Sequence, residues 1–239
     1  MAFTVFQRVG ILMALAICLG LVPIASAWGQ GKQAIPSPRS PQEEPLVTES
    51  QLPQNRWRRY DEGPLKIDDF LKEPASEKDA DPKLAAMVFP DIRVEYRYKT
   101  LKHGNIVTLR PEEVQVWSAI DRRRSWFSRK AQPAKELLDH EQGHFDLFEI
   151  AALQLQQKID NQLSAGKIQY TARSEQAALD KWSKELQSWI TETVKETNEI
   201  SKQYDSLSSN GRSPEPQAEL RQLQKRTLKQ LQMQKSNSR

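Results

Sequence analysis

Two of the three histidines in this 239-residue chain stand four residues apart, in His140-Glu141-Gln142-Gly143-His144. On a helix each residue turns about 100°, so residues four apart lie nearly above one another on one face. Two imidazoles so placed can grip one divalent metal, and a glutamate between them can act on a water held there. Around the string, Leu137, Leu138, Phe145, Leu147, Phe148 and Ile150 recur with the period of a helix that buries one side. The rest of the chain must cover that side and supply the remaining ligands.

Pro133 suits the first position of this helix, and its apolar pattern runs from Leu137 to Leu163 and stops at Gly166, a natural helix end. A second helix is expected from about Thr171, read as its N-cap. Its stripe is Leu179, Trp182, Leu186, Trp189, Thr193 and Ile200, in alternate steps of three and four with one step missing. The missing step is Glu196, a carboxylate where the pattern asks for an apolar residue. Such a group is costly unless it is paired or binds a metal. Folding the two helices about residues 167–170 sets residue 142 opposite about residue 195, within a turn. Glu196 is therefore the expected third metal ligand. The same count excludes Glu175, and Glu149 points to the far side of its own helix.

Upstream, Ile92-Arg93-Val94-Glu95-Tyr96-Arg97-Tyr98 alternates as a half-buried strand does. His103-Gly104-Asn105 reads as a turn, in which His103 is surface rather than ligand. Ile106–Leu109 and Val114–Trp117 add two short strands of a small antiparallel sheet. The folded part is expected from Leu65, with Ile67, Phe70 and Leu71 in a short strand or turn, and Arg56–Tyr60 at the domain's edge. Downstream, Ser208-Ser209-Asn210-Gly211 breaks the second helix. Gln217 to Met233, with Leu220, Leu223, Leu228 and Leu231 on one face, forms a third helix that packs on the domain or recruits a partner protein. The expected class is α+β: a small antiparallel sheet, then a long antiparallel helical hairpin carrying the histidines, zincin-like, then a C-terminal helix.

The ends read differently. Arg8, the apolar run Val9 to Ile24 and the small residues Ala25-Ser26-Ala27 make residues 1–27 a secretory signal, leaving no stable membrane span once it is cleaved. Residues 28–64 are expected as a flexible Pro-rich linker, 65–234 as the domain and 235–239 as a polar tail. The only cysteine, Cys18, falls inside the leader, and Ile17 before it is too large for a lipoprotein cleavage box. An exported chain without disulfides is held by packing or by a metal. The formal charge is +4, from 35 basic and 31 acidic residues that are interleaved rather than blocked. No basic stripe carries regularly spaced aromatics, so nucleic acid is not an expected partner.

The string Leu137-Leu138-Asp139-His140-Glu141-Gln142-Gly143-His144-Phe145-Asp146 closely resembles the core of the bacterial domain-of-unknown-function 922 family, described as predicted secreted zinc-dependent proteases. Asp69-Phe70, Ser125-Trp126, Tyr204-Asp205 and Asn210-Gly211 are similar to that family's features and follow in the same order. The resemblance implies a zinc peptidase, secreted or periplasmic, acting on a peptide or protein. Glu141 is its expected general base toward a metal-activated water, and His140 and His144 its zinc ligands. Tyr204 is a candidate oxyanion donor, and Asp146 and Asp205 are candidate supports behind the ligands. Where relatives tend to carry a histidine before the glycine, this chain has Asn210. The alternative is therefore a catalytically inactive, metal-stabilised envelope binding protein.

Overall fold

The computed structural model describes residues 56–72, 85–128 and 134–237. The expected leader, Cys18 and residues 28–55 of the expected linker lie outside them. The described chain is α+β with antiparallel sheets. In order it forms β1 (Trp57–Arg59), β2 (Ala86–Met87), β3 (Pro90–His103), β4 (Ile106–Asp121), β5 (Trp126–Phe127), α1 (Ala134–Ser164), β6 (Tyr170–Ala172), α2 (Glu175–Ser208) and α3 (Pro214–Asn237). No helix among the described residues is long and apolar enough to cross a membrane.

The long hairpin β3–β4 is the frame. The two short strands expected at Ile106–Leu109 and Val114–Trp117 are one strand, β4, running through Pro111. Proline has no N–H to give a ladder, so an interior proline belongs at a bulge. The register accordingly slips there, Arg97 facing Glu113 while Tyr98 faces Pro111, which leaves Glu112 unpaired in the ladder.

β3 occupies one edge of β4 along its length, so β1 and β6 share the other edge at opposite ends. Between them Gln156 of α1 closes the gap: its amide oxygen accepts from the Val116 N–H at 2.7 Å and its amide nitrogen donates to the Val114 carbonyl at 2.8 Å. A side chain thus stands in for a strand on an edge that would otherwise offer free backbone groups.

The core lies where α1 and α2 cover the sheet. Ile92, Leu109, Val114 and Val116 meet Phe148, Leu155 and Ile159 of α1 and Trp182, Leu186 and Ile190 of α2. Polar contacts fix the direction of α1, since Ser118 Oγ donates to Glu149 at 2.7 Å while Gln156 reaches Val114 and Val116. Moving along α1 toward its C-terminus therefore moves toward the hairpin tip, and the histidines lie at the opposite end.

Three boundaries differ from expectation. Among the described residues the fold begins before Leu65, because Trp57–Arg59 pair with Ala119–Asp121. Arg58 anchors this strand from within, 5% exposed, paired with Asp69 at 2.7 Å and donating to the Gly63 and Pro64 carbonyls. An anchor made of a buried guanidinium leaves no hydrophobic alternation in the sequence. Thr171 is not the cap of α2 but part of β6; Ser174 is the cap, its side chain accepting from the Ala177 N–H at 3.2 Å. Helix α3 runs to Asn237, into the expected polar tail. Its buried stripe is Gln217, Arg221, Gln224 and Leu228 rather than a row of leucines, with Leu220 and Leu223 half-buried.

Candidate metal centre

α1 presents His140 and His144 one turn apart, as the spacing requires. α2 passes over them with Ser201, Tyr204, Asp205 and Ser208, which at steps of three, one and three share one helical face. The Nε2 atoms of the two histidines lie 3.1 Å apart, and Asp205 Oδ1 stands 3.1 Å from His140 Nε2 and 2.9 Å from His144 Nε2. These three residues form a group able to hold a metal ion. A tetrahedral ion with bonds near 2.0–2.1 Å spaces its ligand atoms about 3.3 Å apart. The observed triangle is only a few tenths of an ångström tighter, so the donor set fits.

Hydrogen bonds behind the rings set their tautomers. Ser208 Oγ gives its only proton to the Tyr204 carbonyl at 2.7 Å. Toward His140 Nδ1, 3.4 Å away, it can then only accept, so His140 carries its proton on Nδ1. Ser201 Oγ stands 2.7 Å from His144 Nδ1 and serves that ring in the same position. With a cation bound, both Nδ1 protons turn outward and the two Nε2 lone pairs and the carboxylate face it; without one, the Nε2 atoms hydrogen-bond Asp205. Three acceptors cannot bond each other; a shared cation or proton must sit among them. Burial alone would raise the Asp205 carboxyl, but hydrogen bonds and charge from both histidines outweigh it and hold the group well below the usual carboxylate range. The imidazoles are buried while the Asp205 side chain is 37% exposed, so the centre opens to solvent past Asp205.

Glu141 is buried beside this triangle, and its Oε2 accepts from the Val88 N–H at 2.8 Å. Burial pushes it up to about 7, against the opposing pull of His140 and of the Val88 N–H. Val88 directly follows β2, which pairs with β5 on one edge only among the described residues.

Tyr204 stacks on His140, with ring centroids 4.9 Å apart and planes 12° apart, and meets His144 edge-on at 5.0 Å. Its ring lies over Gly143, where an added Cβ would come within 2.3 Å of the phenol oxygen. That contact explains a glycine in mid-helix, where it costs about 1 kcal/mol relative to alanine. The phenol Oη is buried without a hydrogen-bond partner among the described residues, and burial raises its pKa.

Two expected site residues fall elsewhere. Glu196 is exposed on α2 and stands outside the metal group, whose carboxylate is Asp205. Two offsets explain the miss. The buried face of α2 runs through Trp182, Leu186, Ile190, Thr197, Tyr204 and Ser208, a step near 3.7 rather than 3.5, which turns the face one residue past Glu196. The connection also contains β6 instead of a tight turn, so His140 faces Asp205, about eight residues beyond the symmetric count. Asp146 does not support a ligand. It is 2% exposed and accepts from Tyr60 Oη at 2.8 Å, Gln142 Nε2 at 2.6 Å and Arg221 Nη1 at 2.5 Å, which ties α3 to α1. Ser201 and Ser208, which sequence reasoning passed over, do the supporting instead. The signal for them was the polar run Ser201, Asp205, Ser208 at helical spacing around Tyr204.

The turn after α2 runs along His140. Ser209, Asn210 and Gly211 all have positive φ, and a Cβ on Gly211 would stand 3.0 Å from His140 Cβ and Cγ. Asn210 itself is exposed. Compared with known proteins, the chain matches no family model, no curated protein and no solved structure.

Proposed function

We propose that this chain is an exported zinc-dependent peptidase, zincin-like in the way one helix carries His140, Glu141 and His144. The observation that carries the proposal is the meeting of both Nε2 atoms with Asp205 Oδ1 inside 3.1 Å, one residue from a buried glutamate. Two imidazoles and a carboxylate are a donor set of catalytic zinc, which keeps its fourth position open. Bound there, zinc would supply Lewis acidity and bring the pKa of water toward about 7. Asp205 replaces Glu196 as third ligand in this reading, which also removes the need for a histidine at position 210.

Glu141 is suited to the proton-transfer role. Burial sets its carboxyl near 7, where a group can both take and return a proton at neutral pH. The Val88 bond engages Oε2 and fixes the rotamer, leaving Oε1 to work. Tyr204 orders the imidazoles, stacked on His140 and edge-on to His144, and with its phenol buried over Gly143 it is a positioning residue before it is an oxyanion donor. Residues 1–27 supply the export signal, and the resemblance of residues 137–146 to predicted secreted zinc proteases points the same way.

One observation favours a second reading, in which the ion only pins α1 to α2 and nothing is hydrolysed: Glu141 already spends one oxygen on the backbone of Val88. The test is zinc content together with turnover of an unfolded protein substrate. Near one zinc per chain is expected, lost in His144→Ala and Asp205→Ala and kept in Glu141→Gln, with hydrolysis abolished in all three. Zinc without any turnover in the unaltered protein would leave only the structural role.

A further inference from the structure

The end of the molecule away from the histidines carries an arrangement that the peptidase reading does not use. At the tip of β3–β4, residues 101–106 are all exposed. Cross-strand partners point to the same side of a sheet, so the pairs Leu101–Thr108, His103–Ile106 and Lys99–Arg110 share one face. The opposite face of the same hairpin holds Leu109, fully buried in the core. Leu101 and Ile106 are thus diagonal neighbours on the outward face, 57% and 51% exposed. A lone exposed aliphatic needs no explanation; an adjacent pair at an apex with an excess of cations set back from it does.

The charge is consistent. Residues 98–110 contain Lys99, Lys102 and Arg110 and no acidic residue. The neighbouring stretch 165–174 contains Lys167 and Arg173 and again no acidic residue, and β6 within it is bonded to Val107–Leu109. Five cations therefore meet at one end of the fold. Three carboxylates offset part of that charge: Glu112 pairs with Lys99 at 2.6 Å, Glu175 accepts from Tyr98 Oη at 3.2 Å and Glu185 accepts from Tyr170 Oη at 2.8 Å.

We propose that this hairpin tip docks on an anionic lipid surface, with Leu101 and Ile106 entering the headgroup region and the surrounding lysines and arginines facing lipid phosphates. Aliphatic side chains at the apex with cations set back from it suit a lipid interface, where apolar insertion and attraction to anionic headgroups add. A nucleic acid would reward stacking on large aromatic rings, and residues 101–106 contain no Phe, Tyr or Trp. The contact spans nothing and is peripheral. It leaves the metal centre some 30 Å along α1, counting about 20 residues from His144 at 1.5 Å each, and does not depend on what that centre does.

The processed full chain is tested by flotation with phosphatidylglycerol–phosphatidylcholine vesicles and with pure phosphatidylcholine vesicles. Binding to the anionic vesicles is expected, weakened by added salt and roughly tenfold or more lower in Leu101→Glu/Ile106→Glu. Lys102→Glu/Arg110→Glu is a second variant at exposed positions and is expected to lose the preference for anionic vesicles. Equal binding to both vesicle types, no binding, or binding indifferent to both variants overturns the proposal. So does either variant altering the sedimentation size or the binding of an oligonucleotide while vesicle binding is unchanged, results that would assign the tip to a second copy or to a nucleic acid.

Discussion

α1 and α2 pack against each other with two different chemistries along one continuous contact. Toward the hairpin tip the contact is apolar: Phe148, Leu155 and Ile159 against Trp182, Leu186 and Ile190. Toward the other end the same helical faces carry His140 and His144 against Ser201, Tyr204, Asp205 and Ser208. The first half gains from removing surface from water. The second half buries groups that water would have solvated, so each must find a partner. The apolar half supplies the rigidity that lets the polar half hold three ligand atoms near 3 Å from one another.

That division is broken most directly at Trp182, the largest fully buried side chain. Trp182→Ala should cost about 3–5 kcal/mol, read as a shift of the denaturant midpoint. Metal binding should fail only where the fold fails; a folded variant with lost metal binding would show that the halves are not separable.

Next in size is the clamp that brings α3 to the polar half. Arg221 and Asp146 are both nearly inaccessible, with side chains 4% and 3% exposed. Removing one member of such a pair strands a buried charge, so Arg221→Met should cost about 3 kcal/mol in thermal or denaturant unfolding. Adding Asp146→Asn should recover part of the loss, since Tyr60 still donates to that side chain. A double variant no better than the single one would mean that the charge is not what matters.

The same division decides what the sequence could reveal. Helix α1, Ala134–Ser164, was legible almost to the residue, because apolar periodicity marks its body and Gly166, at φ +64, its end. So were the meeting of both histidines on one helical face and the break after α2. The apolar half of α2 was legible as well. Its polar half was not, because a heptad count drifts against a real helix within a few turns, and nothing apolar remains there to correct it. That drift put Glu196 in the place of Asp205. Arg58 in β1, and Gln217, Arg221 and Gln224 in α3, were invisible for a related reason. A buried polar residue and an exposed one look alike in a sequence, and only their partners, here Asp69, Glu136, Asp139 and Asp146, tell them apart.

Gly143 sharpens the comparison within the polar half. A methyl there overlaps the Tyr204 ring, and over-packing costs roughly 1–3 kcal/mol, partly offset by about 1 kcal/mol of better helix propensity. Gly143→Ala should therefore unfold only slightly earlier and yet bind metal weakly, because the displaced ring no longer holds the imidazoles. Tyr204→Leu in the same chain should restore the melting temperature without restoring affinity. Recovery of both would reduce Tyr204 to filler.

The smallest effect on stability should come from Ser201, and it bears most directly on how the polar half works. Its hydroxyl is half-buried and touches the centre only through His144 Nδ1, at 2.7 Å. Accepting the Nδ1 proton keeps the Nε2 lone pair aimed at Asp205 and raises its basicity, the usual role of a partner behind a metal-bound histidine. Ser201→Ala should leave the melting temperature of the metal-free protein nearly unchanged while weakening zinc binding about 10–100-fold. Ser201→Thr keeps the oxygen and should restore the affinity, a rescue that simple loss of packing would not give. Equal affinity in the alanine and threonine variants would mean that the tautomer of His144 is set elsewhere, and that a serine behind the ring fixes the proton of His140 alone.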